Sequence, residues 1–279
     1  MEKFLFIDGS ALLFQSFCGM PNKIKTDNGE YVEAVICFVG ILRKVIDMVA
    51  PDFLCVIFDG ENKLERKNVD SDYKSNRTDF TDADEVDNPF AQLDKIKEIL
   101  DLFNIYNFET TDCEADDYIA GLVKEYNNQL HTIIFSPDKD FYQLISNTTN
   151  VFHYRGKKSE LIDPESFKSK FNFEPQFFAD YLSLIGDKAD NISGVKGVGK
   201  ITATKLIAEF STINNLFKNI DKIKNNKLKE LIVNNKERIL KNYEIINLFN
   251  VKPRKINKNQ LNFNIFKFSV LNYFNNKTN

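Results

Sequence analysis

The sequence predicts an α/β fold: a mostly parallel sheet flanked by helices, followed by a helical region. Three observations lead there. Short apolar runs alternate with helical periodicity through the first half, the signature of βαβ units. Acidic residues stand just past the end of successive apolar runs, where parallel sheets place their ligands. After about residue 160 the alternation gives way to short helical patterns with Lys-rich faces.

Taken in order, Phe4-Leu5-Phe6-Ile7 reads as a buried strand ending at Asp8. Residues 33–49 have helical periodicity, and Phe53 to Phe58 forms a second apolar run ending at Asp59. A charged, weakly periodic stretch, 61–88, precedes a helix near 89–103 and a short strand near 105–108. Residues 114–126 read as a helix, Thr132 to Phe135 as a strand leading to Asp138, and Phe177 to Ile185 as a helix. No long-period repeat is present. The sheet-forming part, 1–160, grades into the helical part, 161–279, without a linker.

With 43% hydrophobic residues and 26 Phe in 279, the chain has the means for a large core, which excludes general disorder. No apolar run approaches the roughly 20 residues that span a bilayer. The start Met1-Glu2-Lys3 with its short apolar run is no signal peptide. Cys18, Cys37, Cys55 and Cys113 form no CxxC pair, which argues against zinc and suits reduced thiols in the cytoplasm. The stretch beyond residue 250 is too short for another domain, and the start at Met1 points to a free-standing chain. The net charge of −3 conceals a division along the chain. Residues 1–150 hold 14 Lys and Arg against 28 Asp and Glu, whereas 151–279 hold 23 against 12. The acidic part needs cations to meet a polyanion; the basic part attracts one unaided.

Singly, each acid has a bland explanation. Asp8-Gly9-Ser10 suits a turn or N-cap, Glu114-Ala115-Asp116-Asp117 an acidic first helical turn, and Asp138-Lys139-Asp140 a polar loop. Jointly they do not, because so many carboxylates at strand ends repel one another unless cations compensate. A donor set of oxygens alone suits hard cations, Mg²⁺ or Mn²⁺. EF-hand spacing is excluded: counting from Asp138, position six is Gln143 and position twelve is Thr149.

Gly194 to Lys200 matches GxxxxGK, but Ile201 stands where a phosphate loop needs Ser or Thr, and a helical pattern precedes it. A helix–hairpin–helix fits better. Its glycines let backbone amides approach a phosphate, and the next helix N-terminus favours the anion. Lys196, Lys200 and Lys205 add charge.

In order, Asp8-Gly9-Ser10, Phe58-Asp59-Gly60, Tyr73-Lys74-Ser75-Asn76-Arg77, Glu114 to Asp117, Asp138 to Asp140 and Gly186 to Ala203 make a pattern. It resembles that of the 5′-nuclease (flap endonuclease) family, including the 5′→3′ nuclease domain of bacterial DNA polymerase I and its free-standing relatives. The resemblance implies a PIN-like nuclease core, a helical arch about 61–88 and a helix–three-turn–helix element about 184–209. It implies a metal-dependent 5′→3′ exonuclease or structure-specific flap endonuclease that hydrolyses DNA by two metals, Mg²⁺ with Mn²⁺ able to substitute, in replication or repair. Asp8, Asp59, Glu114 and Asp116 would ligate one metal, with Asp117, Asp138, Asp140, Asp187 and Asp190 in or around the other site. Tyr73, Lys74 and Arg77, with Arg66 nearby, would contact the 5′ portion of the substrate. K⁺ would be held by main-chain oxygens of Leu184, Ile185, Ser193, Val195 and Val198. Lys196, Gly197, Val198, Gly199, Lys200, Ile201, Thr202 and Lys205 would meet the duplex. The expected partner is DNA with a 5′ end or flap, engaged by a monomer without a nucleotide cofactor.

The chain departs from the family pattern at Gln15, where Arg is frequent, at Leu64-Glu65, which replaces Thr-Phe, and at Ser193, which replaces Pro. The stretch Asp79 to Asp87 is acidic where relatives carry a short proline-containing segment, and its acids would repel phosphates. A non-catalytic DNA-binding scaffold, the rival class, predicts a broken acidic motif, and every one is intact. A nucleotide hydrolase, which ATP turnover without DNA would reveal, is a second rival. Within the favoured class, an RNA strand could replace DNA as the substrate.

Overall fold

The computed structural model describes residues 1–20, 22–60, 69–80, 82–126 and 129–263. Phe4, Leu5, Phe6 and Ile7 are apolar on both faces, as a central parallel strand requires, and all four are buried in β1 (Lys3–Asp8). Helix α1 (Gly9–Gly19) follows directly, then α2 (Glu33–Val49), β2 (Phe53–Phe58), α3 (Leu93–Leu102), β3 (Tyr106–Glu109), α4 (Ala115–Tyr126) and β4 (His131–Phe135). Strands β5 (Thr149–His153) and β6 (Glu160–Ile162) complete a sheet of order β3-β2-β1-β4-β5-β6. All neighbours are parallel except β5 and β6, and the register sets Ile7 beside both Val56 and Phe135.

Sequence periodicity located α2 and β2 where they lie. It did not anticipate α1, β5 or β6. The run 89–103 divides: Asn88 caps a short 3₁₀ turn, Pro89–Gln92, before α3 begins, because Pro89 suits a helix start. Of the stretch expected as an arch, Leu64, Glu65 and Arg66 lie outside the described residues, and 70–80 and 82–87 run as turns and bends.

Helices α1, α2 and α3 bury one sheet face, with Leu13, Phe38, Val45 and Ile99 packed on Ile7, Leu54 and Val56. The other face meets α4 and the helices after the sheet. These are α5 (Pro164–Phe171), α6 (Phe178–Ile185), α7 (Lys200–Phe210), α8 (Ile213–Lys218), α9 (Asn226–Asn234) and α10 (Lys236–Ile246), with a small ribbon, β7 (Gly186–Asp187) and β8 (Ile192–Ser193). One buried cluster runs from Phe4 and Phe6 through Phe141 and Phe178 to Ile246. Sheet and helical parts therefore share a core. The chain beyond residue 250 runs along α4: Arg254 N donates to Gly121 O at 3.0 Å, and the Tyr126 hydroxyl donates to Ile256 O at 2.9 Å.

Candidate acidic metal centre and hairpin

Strand β1 lies between β2 and β4, and from it the chain order runs one way through β2 and β3 and the other way through β4 and β5. A crevice opens outside the carboxyl ends of the strands at such a switch point. Asp8 ends β1 there. Its Oδ1 accepts the Ala11 N–H at 2.9 Å, capping α1, and its Oδ2 accepts the Ser136 hydroxyl at 2.9 Å from beyond β4. Ser136 Oγ in turn accepts the Asp138 N–H at 3.1 Å, and Asp138 Oδ1 accepts the Asp140 N–H at 2.9 Å. Past β2, Asp59 Oδ1 accepts the Ala115 N–H at the start of α4 at 2.9 Å, while the Asp59 N–H donates to Ser10 Oγ at 2.8 Å. Gly60 is required beside it, because a Cβ there would lie 1.8 Å from Thr110 O.

Helix α4 brings its acids into the same crevice. Carboxylate oxygens of Glu114, Asp116 and Asp117 lie within 4.8 Å of one another. Against them stands the segment 72–77. Lys74 Nζ donates to Glu114 Oε2 at 2.7 Å, and the Tyr73 hydroxyl donates to the same oxygen at 3.1 Å. Arg77 Nη2 donates to Asp190 Oδ1 at 2.7 Å. Burial, then the charge of Asp59, pushes the Asp8 carboxyl up to about 7. Burial pushes Asp138 up to about 6, with Asp190 and Asp116 adding to it. Burial works to lower the Lys74 ammonium, but Asp116, Glu114 and Asp190 outweigh it and hold it above its ordinary value. Burial and mutual repulsion both oppose ionisation of these carboxyls, and a bound cation would relieve both. An all-carboxylate crevice in that condition fits Mg²⁺ or Mn²⁺.

The structure thus gathers Asp8, Asp59, Glu114, Asp116, Asp117, Asp138 and Asp190 with Tyr73, Lys74 and Arg77, while buried Asp140 is joined to Asp138 through its backbone N–H. In the turn of the ribbon, Asp187 Oδ1 accepts the Ala189 N–H at 2.7 Å. Arg66 lies outside the described residues. Ser136, which joins Asp8 to Asp138, was not anticipated; a serine two residues ahead of a strand-end aspartate has too many ordinary uses to stand out.

The ribbon β7–β8 leads into the hairpin. Gly186 has φ +76, and a Cβ on it would lie 2.3 Å from Gly194 N. The Val195 N–H donates to Leu184 O at 2.9 Å, and the Val198 N–H to Val195 O at 2.9 Å. Asn242 of α10 donates its Nδ2 hydrogens to Ser183 O and Ser193 O at 3.0 and 2.9 Å, a brace the sequence did not reveal. Ile185 is half-buried beside them. Helix α7 then begins with Gly199 as N-cap and no side chain capping it. Lys196, Gly197, Gly199, Lys200, Ile201 and Lys205 are exposed, Thr202 is half-buried and Val198 is buried. The GxxxxGK match follows a two-residue ribbon strand outside the main sheet. Gln15 donates its amide to Tyr154 O at 3.1 Å, tying α1 to the chain just past β5.

The fold and the site define an α/β protein with a carboxylate crevice at its sheet's switch point and a glycine hairpin beside it. Two family models match nearly end to end: the 5′-3′ exonuclease N-terminal resolvase-like domain over residues 3–172, and the 5′-3′ exonuclease C-terminal SAM fold over 173–268. A 5′-3′ exonuclease of Aquifex aeolicus is 34% identical over 250 residues, covering 89% of this chain and 82% of its own. DNA polymerase I of Bacillus subtilis is 31% identical over 268 residues, which is 95% of this chain but 30% of the polymerase. A bacteriophage T5 flap endonuclease, solved as a pseudo-enzyme-product complex with DNA and metal ions, shares the fold with a TM-score of 0.70 at 20% identity, covering 88% of this chain and 89% of its own. The chain belongs to the 5′-3′ exonuclease family and is a nuclease. No helix among the described residues is long and apolar enough to cross a membrane.

Proposed function

We propose that this chain hydrolyses DNA phosphodiester bonds as a 5′→3′ exonuclease or flap endonuclease, in replication or repair, with two divalent cations, Mg²⁺ or Mn²⁺, at the crevice. The observation that carries the reading is the carboxylate group of Glu114, Asp116 and Asp117, within 4.8 Å, facing the strand-end acids. Two bound divalent cations would supply Lewis acidity and a lowered pKa for the attacking water. Asp8, Asp59, Glu114 and Asp116 would hold one, and Asp117, Asp138, Asp140 and Asp190 would hold or surround the other, with Asp187 at its margin. Lys74 and Arg77 would offset charge on the scissile phosphate, Tyr73 would orient Glu114, and Arg66 would meet the 5′ portion. The part up to about residue 160 would do the chemistry and the part after it would hold the duplex.

Lys196, Lys200 and Lys205 would hold the duplex by its backbone, joined by the amides of Gly197, Val198 and Gly199 and the first residues of α7, Ile201 and Thr202. The carbonyls of Leu184, Ile185, Ser193, Val195 and Val198 would hold K⁺ beneath the hairpin. The protein would act as a monomer in the cytoplasm without a nucleotide cofactor. Labelled flap, nicked, blunt and single-stranded DNA, compared with Mg²⁺ and with EDTA, test the reading. Cleavage that needs Mg²⁺ and favours substrates with a 5′ end or flap is expected. Cleavage undiminished in EDTA, or DNA-independent ATP turnover, would contradict it.

A further inference from the structure

Two segments far apart in sequence meet at the tip of the β7–β8 ribbon. Its turn, 188–191, lies against residues 72–77. Asn191 Nδ2 donates to Asp72 O and to Ser75 Oγ, each at 2.9 Å. Asn76 Nδ2 donates back to Lys188 O at 3.1 Å, and the Lys74 N–H donates to Asp190 O at 3.0 Å. Lys74 and Asn191 both have left-handed backbone, φ 54 and 58. Asn tolerates that region, whereas Lys adopts it seldom, so its surroundings must hold it there. The bonds on either side do so: Asp190 O takes the Lys74 N–H, and Asn191 grips positions 72 and 75. From that backbone Lys74 reaches Glu114 and Arg77 reaches Asp190.

We infer that Asn191 is a positioning residue, which holds the segment 72–77 so that Lys74 and Arg77 face the acidic crevice. Asn191 rides on the ribbon whose other end opens into the hairpin Gly194 to Lys200. Placement of the two cationic side chains is thereby tied to the element that would hold the duplex. This deepens the proposed nuclease reading and rests on it. Asn191 is exposed and its partners lie at the surface, so the bonds act on the local conformation rather than on the core.

The test compares Asn191→Gly and Asn191→Asp with wild type. Glycine keeps the left-handed backbone and removes both donors; aspartate keeps the shape and removes the donating amide. Single-turnover cleavage of a saturating flap substrate in Mg²⁺ is measured beside KM, duplex affinity in EDTA and the unfolding midpoint. The rate falls about 10- to 100-fold in both variants, as expected for misplaced catalytic groups, with KM, affinity and midpoint unchanged. Asn191→Gly added to the Lys74→Ala, Arg77→Ala double variant causes no further loss of rate, because Asn191 acts through those two side chains. A further loss in the triple variant, or wild-type rates in the two Asn191 variants, would overturn the inference while leaving the nuclease reading intact. A wild-type chain inert on every DNA would overturn both.

Discussion

Asp8 serves structure and site at once. One of its oxygens caps α1 through Ala11, and the other takes the Ser136 hydroxyl, so the ordinary N-cap explanation holds alongside a place in the crevice. The same duality runs through Asp59, which takes the Ala115 N–H at the start of α4. Asp180 is different. It is 2% exposed, its Oδ1 takes the Ile213 N–H at 2.8 Å, and burial lifts its carboxyl to about 6. Its native value thus exceeds the unfolded one near 3.8, so the native state binds the extra proton. The resulting stability is full below about pH 4 and is lost as pH rises through about 6. Asp180→Asn keeps the acceptor without the charge. Its stability relative to wild type should therefore rise by about 2 kcal/mol between pH 4 and pH 7, read by urea unfolding at each pH. A difference independent of pH would show that the buried carboxyl is not the cause.

Among elements, β1 to β4 and α2 were legible because apolar runs and helical periodicity carry their own signal. Helix α1 was not, since Ala11 to Phe14 is an apolar run that suits helix or strand equally. Asp8, Asp59 and Asp138 were legible because each follows a strand, and Glu114, Asp116 and Asp117 because they open a helix. What joins them was hidden: Ser136 and Asn242 act across 128 and 49 residues of sequence, and no local pattern encodes a partner that distant. Of the motif pair, Asp190 takes Arg77 in the crevice, and Asp187 takes the Ala189 N–H within the ribbon turn. At the hairpin, exposed Lys196 and Lys200 flank backbone amides at the uncapped start of α7. Replacing both lysines by alanine should lower the slope of log affinity against log salt by about 1 to 2, as two lost phosphate contacts would. Fluorescence anisotropy with a duplex from low to moderate salt measures it, and an unchanged slope would remove these lysines from the interface.

For the molecule as a whole, the charge division acquires a physical meaning. Asp8, Asp59, Glu114, Asp116, Asp117 and Asp138 of the first part converge at the sheet's switch point, where cations can compensate them, and Lys196, Lys200 and Lys205 of the second part are exposed at the hairpin. A core common to both holds the two at a fixed relation. The central claim is that the acidic crevice is the seat of metal-dependent DNA cleavage and the basic part binds independently of it. Asp116→Asn, a change of one charge with little change of shape, tests it most directly. Mg²⁺-dependent cleavage of a labelled flap substrate should fall to background while duplex affinity in EDTA stays at the wild-type value; cleavage by the variant at the wild-type rate would contradict the account.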